Sequence, residues 1–423
     1  MIQVVSEVGR LRTVVVHAPG AAMERMLPEH IEPSSPNYLL FDDLVDVRAA
    51  ADEHQQLCDV LASVAEVIPF QRLLAETLRD AGKRDLLVRD VVAHEGLRPA
   101  QRTAIDDLDA ETLAAAMVVG TANGRVDGEH LFDPAPNLIF TRDLAAVVGQ
   151  TIVVGNANKA ARRRETMLAW TVFEGHDLFA NARIARSSTR VHQAGGSAPL
   201  TVEGGDVLVI SERLAVIGAS ERTSWAMIIR LATELLDQGL ERVLVVEMPK
   251  QRSSMHLDTV FTMADRDVGV VYPPLLKPGG PEEAKVLGLR KEGVHTVIDD
   301  LDSHLLDALA GEGHGLNPVL CGGGHPIHAQ REQWTDGANY VALGPGVVVG
   351  YARNHRTAVA MGEAGFEIMS PQAYLSMLDA DFSGDADALF ASGRRIAVHL
   401  VGSELSRGRG GPRCLTCPVW RDA

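Results

Sequence analysis

The chain is poor in cysteine, with four in 423 residues, and poor in aromatics, at 4%. Thiols at Cys58, Cys321, Cys414 and Cys417 do not make a disulfide framework, so a reducing compartment is the default. Positive charge is also short: 40 Lys and Arg against 56 Asp and Glu leave a net charge of −16. That balance argues against nucleic acid, because neutralising phosphates needs a basic face. No apolar run reaches the roughly 18 residues of a membrane span. Met1-Ile-Gln-Val-Val-Ser-Glu-Val has neither the basic start nor the apolar stretch of a secretory signal. These absences lead us to expect a cytoplasmic protein with no nucleic-acid or membrane partner. What is present is a long chain, 46% hydrophobic, able to bury a large core.

One kind of segment recurs. A β-branched run ends in Gly or His, and a few small or polar residues then lead into a helix-like stretch. It appears as Thr13-Val-Val-Val-His17, Thr151-Ile-Val-Val-Gly155, Leu214-Ala-Val-Ile-Gly218 and Gly346-Val-Val-Val-Gly350, with Val268-Gly-Val-Val-Tyr272 as a poorer fifth copy. The spacings predict a diverged repeat of about 65 residues, although buried strands of any α/β protein can end this way. His17 and Gly155 lie too far apart for one repeat, which implies an insertion. Residues 72–128 fit it, because their patterns are short, Ala- and Leu-rich and helical, with a predicted N-cap at Asp109 and a turn at Asn123-Gly124.

Four polar clusters stand where strands or turns should end. Asn137-Leu-Ile-Phe-Thr-Arg-Asp143 reads as an acid emerging from an apolar strand-like run, which needs a compensating partner if buried. Glu203-Gly-Gly-Asp206 sets two acids around a pair of glycines and could equally be a simple turn. In Met255-His-Leu-Asp-Thr259 an i, i+2 pair on a strand would put His256 and Asp258 on one face, as site or as structural pair. Gly408-Arg-Gly-Gly-Pro-Arg-Cys414 is either a basic glycine-rich tail or a thiol whose thiolate Arg409 and Arg413 favour. Together they supply a nucleophile, a proton carrier and several carboxylates. Acids around a cysteine would repel an oxyanion, so they suit a cationic carbon such as that of a guanidinium, whose planar donors match carboxylates.

At this point the chain resembles the arginine deiminases of the guanidine-modifying (pentein) superfamily. The resemblance runs over nearly the whole chain. It rests on Ser6-Glu-Val-Gly-Arg-Leu, Phe41-Asp-Asp43, Phe140-Thr-Arg-Asp143, Glu203-Gly-Gly-Asp206 and Met255-His-Leu-Asp-Thr-Val-Phe-Thr262. Cys321-Gly-Gly, Arg331-Glu-Gln-Trp334, Pro345-Gly-Val-Val-Val349 and the Cys414 segment extend it. It implies a five-bladed αβ-propeller of the α/β class with an inserted small helical domain: residues 1–71 and 129–423 catalytic, 72–128 inserted. It also implies hydrolysis of L-arginine to L-citrulline and ammonia, with no cofactor and no metal, and it is compatible with a homo-oligomer. Cys414 would be the nucleophile, Asp143 and Asp258 the guanidinium clamp, His256 the proton carrier, and Glu203 the holder of substrate and histidine. Arg162 and Arg222 would bind the substrate carboxylate, with Asn137, Phe140 and Arg409 as further contacts and Arg409 as a mobile gate in the other reading.

Two positions depart from that pattern. Cys417 stands where the family has methionine, and Cys414-x-x-Cys417 has the spacing of a reversible disulfide. His325 precedes Pro326 where an acid would cap the helix better. Rival functions are a deiminase or amidinotransferase for another guanidino compound, and a non-enzymatic arginine binder, although the latter would not be expected to keep both Cys414 and His256. Replacing Cys414 with Ala should abolish citrulline release from L-arginine, whereas Cys417→Ala should leave it; equal loss in both would misassign the nucleophile.

Overall fold

Each of the five recurring β-branched runs becomes the inner strand of its own small sheet. The computed structural model of the chain describes residues 1–188 and 200–423. Strands Leu11–Val16, Thr151–Val154, Leu214–Ala219, Val268–Val271 and Val347–Tyr351 each have an antiparallel neighbour on one side and a parallel one on the other. Val268-Gly-Val-Val-Tyr272, the poorest copy in sequence, is as regular as the rest. Four antiparallel neighbours are the strand just before in the chain. The exception is the first sheet, where the last strand, Cys417–Arg421, pairs with Leu11–Val16 and brings the two chain ends together.

The parallel neighbour is reached through a helix, as parallel pairing requires. Helices Val47–Ala62, Arg163–Gly175, Trp225–Asp237, Leu305–Gly311 and His355–Glu363 lie in these crossovers. A hairpin, Val286–Glu292 and His295–Asp300, extends the third sheet to five strands. The inner strands bury both faces: Val14, Ile152, Val216, Val270 and Val348 are fully buried. That is why they read as continuous apolar runs instead of alternating ones.

Between the first two sheets lie helices Phe70–Thr77, Ala81–Glu95, Pro99–Asp106 and Ala110–Val119. Asp80 and Asp109 cap two of them, accepting from the N–H of Lys83 at 2.9 Å and of Thr112 at 2.8 Å. Gly96 and Gly120 end the same two helices with φ of 67° and 81°, where a Cβ would be strained. Their apolar faces (Leu73, Leu87, Val91, Leu113, Met117) share one core with Leu168 and Phe173 of the following crossover helix. Among the described residues no helix is long and apolar enough to cross a membrane.

Two strand expectations need correction. Residues 137–143 are a 3-10 turn, Pro136–Ile139, followed by the single helical turn Thr141–Leu144. Their side chains are buried all round, so no two-residue alternation exists to define a strand. His256 likewise precedes, and Asp258 lies within, a 3-10 turn, Leu257–Thr259, with the strand beginning only at Phe261. There the Leu257 N–H donates to Asp206 Oδ1 at 2.9 Å and the Thr259 hydroxyl to the His256 carbonyl at 2.6 Å, so side chains replace the ladder.

Glycines mark where these turns press on one another. A Cβ on Gly204 would lie 2.1 Å from the Arg142 carbonyl and 2.8 Å from that of Ala145, both backbone. Gly204→Ala should therefore destabilise by about 1–3 kcal/mol or more, read as a lowered Tm. Gly82→Ala, whose nearest contact is an ordinary 3.4 Å in a helix, should leave Tm unchanged or raise it.

Candidate active site

The turn leading into the first strand of each hairpin carries one polar residue toward a common centre. Asp143 stands two residues before strand Ala145–Val148, Glu203 four before Val207–Val209, and Asp258 three before Phe261–Asp265. Asn339 stands two before Val341–Gly344, and Cys414 three before Cys417–Arg421. Of the ten sequence-predicted residues, eight line a single cavity: Asn137, Phe140, Asp143, Arg162, Arg222, His256, Arg409 and Cys414. Glu203 and Asp258 stand behind them, 1% and 0% exposed.

Near the thiol, Asp143 and Asp258 each accept from an arginine on one oxygen and lack a hydrogen-bond donor on the other. Arg413 Nη1 donates to Asp258 Oδ2 at 2.8 Å, and Arg162 Nη1 donates to Asp143 Oδ2 at 2.6 Å. The remaining oxygens, Oδ1 of Asp143 and of Asp258, are buried with no hydrogen-bond partner among the described residues, although Asp143 Oδ1 faces His256 Nδ1 at 3.7 Å. An unpaired buried acceptor costs about 1–3 kcal/mol, more if charged. Two such oxygens beside a thiol are therefore set for a planar cation with N–H groups to give. Cys414 Sγ lies 3.8 Å from Asp258 Oδ2.

The thiol itself is not pre-ionised. Burial pushes the Cys414 pKa well above its ordinary value, and the charges of Asp258, Asp143 and Asp336 push it further. The expected stabilisation of a thiolate by Arg409 and Arg413 is thus corrected. Arg413 is spent on Glu7, at 3.0 Å, and on Asp258. Arg409 stacks 3.4 Å from the centre of the Trp334 ring and donates to the Arg252 carbonyl at 3.3 Å.

His256 is the opposite case. Burial alone would lower its pKa, but the Asp143 charge, the 3.0 Å bond to Glu203 Oε2 and the Asp206 charge outweigh burial and raise it to about 9. It is an imidazolium at neutral pH. Glu203 stays ionised because Arg222, Arg162 and His256 overcome its own burial penalty. Asp143, Glu203 and His256 approach closely enough to hold a metal ion. The cation among them is already Arg162, however, and a protonated imidazole does not ligate a metal.

At the far end the cavity is cationic. Arg222 is buried, yet among the described residues its guanidinium meets Met255 Sδ at 4.0 Å and Glu203 Oε1 at 3.6 Å, and its Nε has no hydrogen-bond partner. Arg409 Nη1 is also buried and unpartnered. Buried cations held this loosely are stable only if an anion completes them. Arg162 is different: four of its five N–H groups go to Glu165, Asp143, Glu203 and the Asn137 carbonyl, leaving one for a ligand. Asn137 Nδ2 donates to the Leu39 carbonyl at 2.9 Å. Phe140 stacks on Phe41 at 6.0 Å and lies where a Cβ on Gly410 would be, which explains that glycine.

Several working residues escaped the sequence reading. Glu7 anchors Arg413 from 406 positions away. It lies inside the Ser6-Glu-Val-Gly motif, but nothing local tells an anchoring acid from a solvated one. Asn339, Glu165 and Asp336 sit in no periodic pattern. Cys417 Sγ contacts the Ala145 carbonyl at 3.3 Å, and both Cys414 and Cys417 are free thiols.

The comparisons with known proteins agree with this geometry. Residues 110–421 match the family model "Arginine deiminase". The chain is 32% identical to an arginine deiminase of Listeria monocytogenes serotype 4a (strain HCC23), covering 100% of this chain and 98% of that one. It is also 32% identical to one of Mycoplasma capricolum subsp. capricolum, covering 100% and 97%. Among solved structures, the amidinotransferase SxtG from Microseira wollei superposes with a TM-score of 0.52 at 14% identity, covering 100% and 98%. That likeness carries the fold.

The electrostatics predict a titration. The ultraviolet absorbance attributable to Cys414, taken as the difference from Cys414→Ala, should rise only above pH 9 in the free protein. A thiolate already formed at pH 7 would contradict the assignment of charges around Sγ.

Proposed function

The chain belongs to the arginine deiminase family, and we propose that this cavity hydrolyses the guanidinium of L-arginine to L-citrulline and ammonia through a covalent amidino-thioether on Cys414. The observation that carries the reading is the pairing of needs. Among the described residues, two buried carboxylate oxygens (Oδ1 of Asp143 and of Asp258) and the Nε of Arg222 and Nη1 of Arg409 have no hydrogen-bond partner, and their side chains meet at one cavity, with Asp258 just behind it. Free arginine offers a planar cation and a carboxylate at matching ends. Asp143 and Asp258 grip the guanidinium nitrogens. Arg222, Arg409 and the spare N–H of Arg162 take the carboxylate, with Asn137 and Phe140 shaping the walls.

The cationic substrate supplies what the resting thiol lacks. Once a guanidinium offsets Asp143 and Asp258, the Cys414 proton is lost to solvent and the thiolate attacks the guanidinium carbon. His256, already protonated, gives its proton to one nitrogen, which leaves as ammonia. The neutral imidazole then takes a proton from the water that attacks the amidino-thioether. Collapse of that adduct expels sulfur, which leaves with the hydroxyl proton as thiol, and citrulline is released. Glu203 holds His256 upright throughout. Thiol and imidazole carry every step, and a reducing cytoplasm would keep Cys414 competent.

The five sheets of like topology support a five-bladed propeller. In that arrangement residues 72–128 form an inserted helical module, and 1–71 with 129–423 form the catalytic body. An amidinotransferase would use the same intermediate and pass it to an amine.

Purified protein with L-arginine should yield citrulline and ammonia in equal amounts, and arginine plus glycine should give no ornithine; ornithine in place of citrulline would favour the transferase. Agmatine, which lacks the carboxylate, should have a kcat/KM lower by about 100-fold or more. Arg222→Ala should erase most of that preference. At saturating arginine, where Cys414 is already ionised, kcat should fall at alkaline pH as His256 loses the proton it must donate.

A further inference from the structure

Four of the five hairpin-entry turns supply an acid or the nucleophile. The fifth supplies Asn339, a neutral amide that is fully buried. Its side chain makes three bonds, and all three tie catalytic turns together. Oδ1 accepts from the backbone N–H of Arg413 at 3.0 Å and of Cys414 at 3.2 Å. Nδ2 donates to the Asp258 carbonyl at 2.9 Å. A Cβ on Gly411 would lie 2.5 Å from Asn339 Oδ1, so the chain here is glycine to admit this amide. Asn339 is itself fixed by its own N–H, which donates to the Asp336 carbonyl at 3.0 Å.

An uncharged amide suits this position, because the same group must accept at one end and donate at the other. It also spends two backbone N–H groups beside the sulfur. Those are donors of the kind that form an oxyanion hole when left free, so their capture commits the thiol to a carbon that does not develop oxyanion charge.

We propose that Asn339 is a positioning residue for the deiminase reaction, locking the Cys414 turn to the Asp258 turn so that Sγ faces the clamped guanidinium carbon. The proposal rests on Cys414 being the nucleophile. Misplacing a reacting atom by about 1 Å costs about 100-fold in rate. Asn339→Ala in the full chain should therefore lower kcat about 100-fold while KM for L-arginine stays within about three-fold. Formation of the covalent adduct, followed by acid quench and intact-protein mass, should slow in parallel. Asn339→Asp keeps the acceptor for the Arg413 and Cys414 N–H groups but sets an oxygen against the Asp258 carbonyl, so it should recover only part of kcat, again at little-changed KM. It also serves as the test if the Ala variant does not fold. A kcat within about three-fold of the parent in the folded variants would overturn the proposal, as would loss in proportion to the unfolded fraction seen by thermal melting. Cys414→Ser run alongside separates the two readings. If it still makes citrulline, the nucleophile itself is misassigned; if it is dead while Asn339→Ala is fully active, only the role of Asn339 fails.

Discussion

The constraint on which the rest of this protein depends is the burial of several carboxylates beside one thiol. Asp143, Glu203 and Asp258 are all removed from water, and none could remain ionised there without cations equally removed. Arg162 and Arg413 answer that demand. Arg413 is the more far-reaching of the two, because it joins Glu7 near one chain end to Asp258 in the middle and is the residue before Cys414. Removing one partner of such a buried pair typically costs about 3–5 kcal/mol. The closure of the first sheet by the last strand puts these groups within reach of each other.

Partial compensation is what makes the site chemical rather than merely stable. Asp143 and Asp258 each accept from a buried arginine on one oxygen, while the other has no hydrogen-bond donor among the described residues. Burial with Asp258 and Asp143 keeps Cys414 a thiol, and Asp143 with Glu203 and Asp206 keeps His256 an imidazolium. A guanidinium ligand reverses the first of these by completing the charge balance. In the proposed reaction, selectivity for a cation and activation of Cys414 are therefore one electrostatic event.

The repeated sheet is a device for bringing distant residues together. Because each hairpin is entered by a similar turn, residues as far apart as Asp143 and Cys414 arrive at one place without contact along the chain. The backbone of these turns is not free to vary. Gly204 and Gly411 mark where one turn presses on another, and Asn339 converts that proximity into hydrogen bonds.

Much of this was legible in the residues alone. The five β-branched runs, the helical stretch at 72–128 with its Asp109 cap, and the clusters around Asp143, Glu203, His256 and Cys414 all announce themselves. Each rests on local preference: burial on two faces, capping chemistry, and polar residues set against apolar runs. Charge state did not announce itself, because a pKa depends on which groups face a residue across space. Arg413 next to Cys414 in sequence read as an activator of the thiolate; in the fold its charge belongs to Glu7 and Asp258. The shape of the turns at 137–143 and 256–258 was also decided by tertiary contacts: the Arg142 N–H donates to the Cys414 carbonyl, the Leu257 N–H to Asp206, and Asn339 donates to the Asp258 carbonyl. The sequence by itself determined which groups would be available. Only the folded chain decided which of them were left without a partner, and those are the groups that can bind.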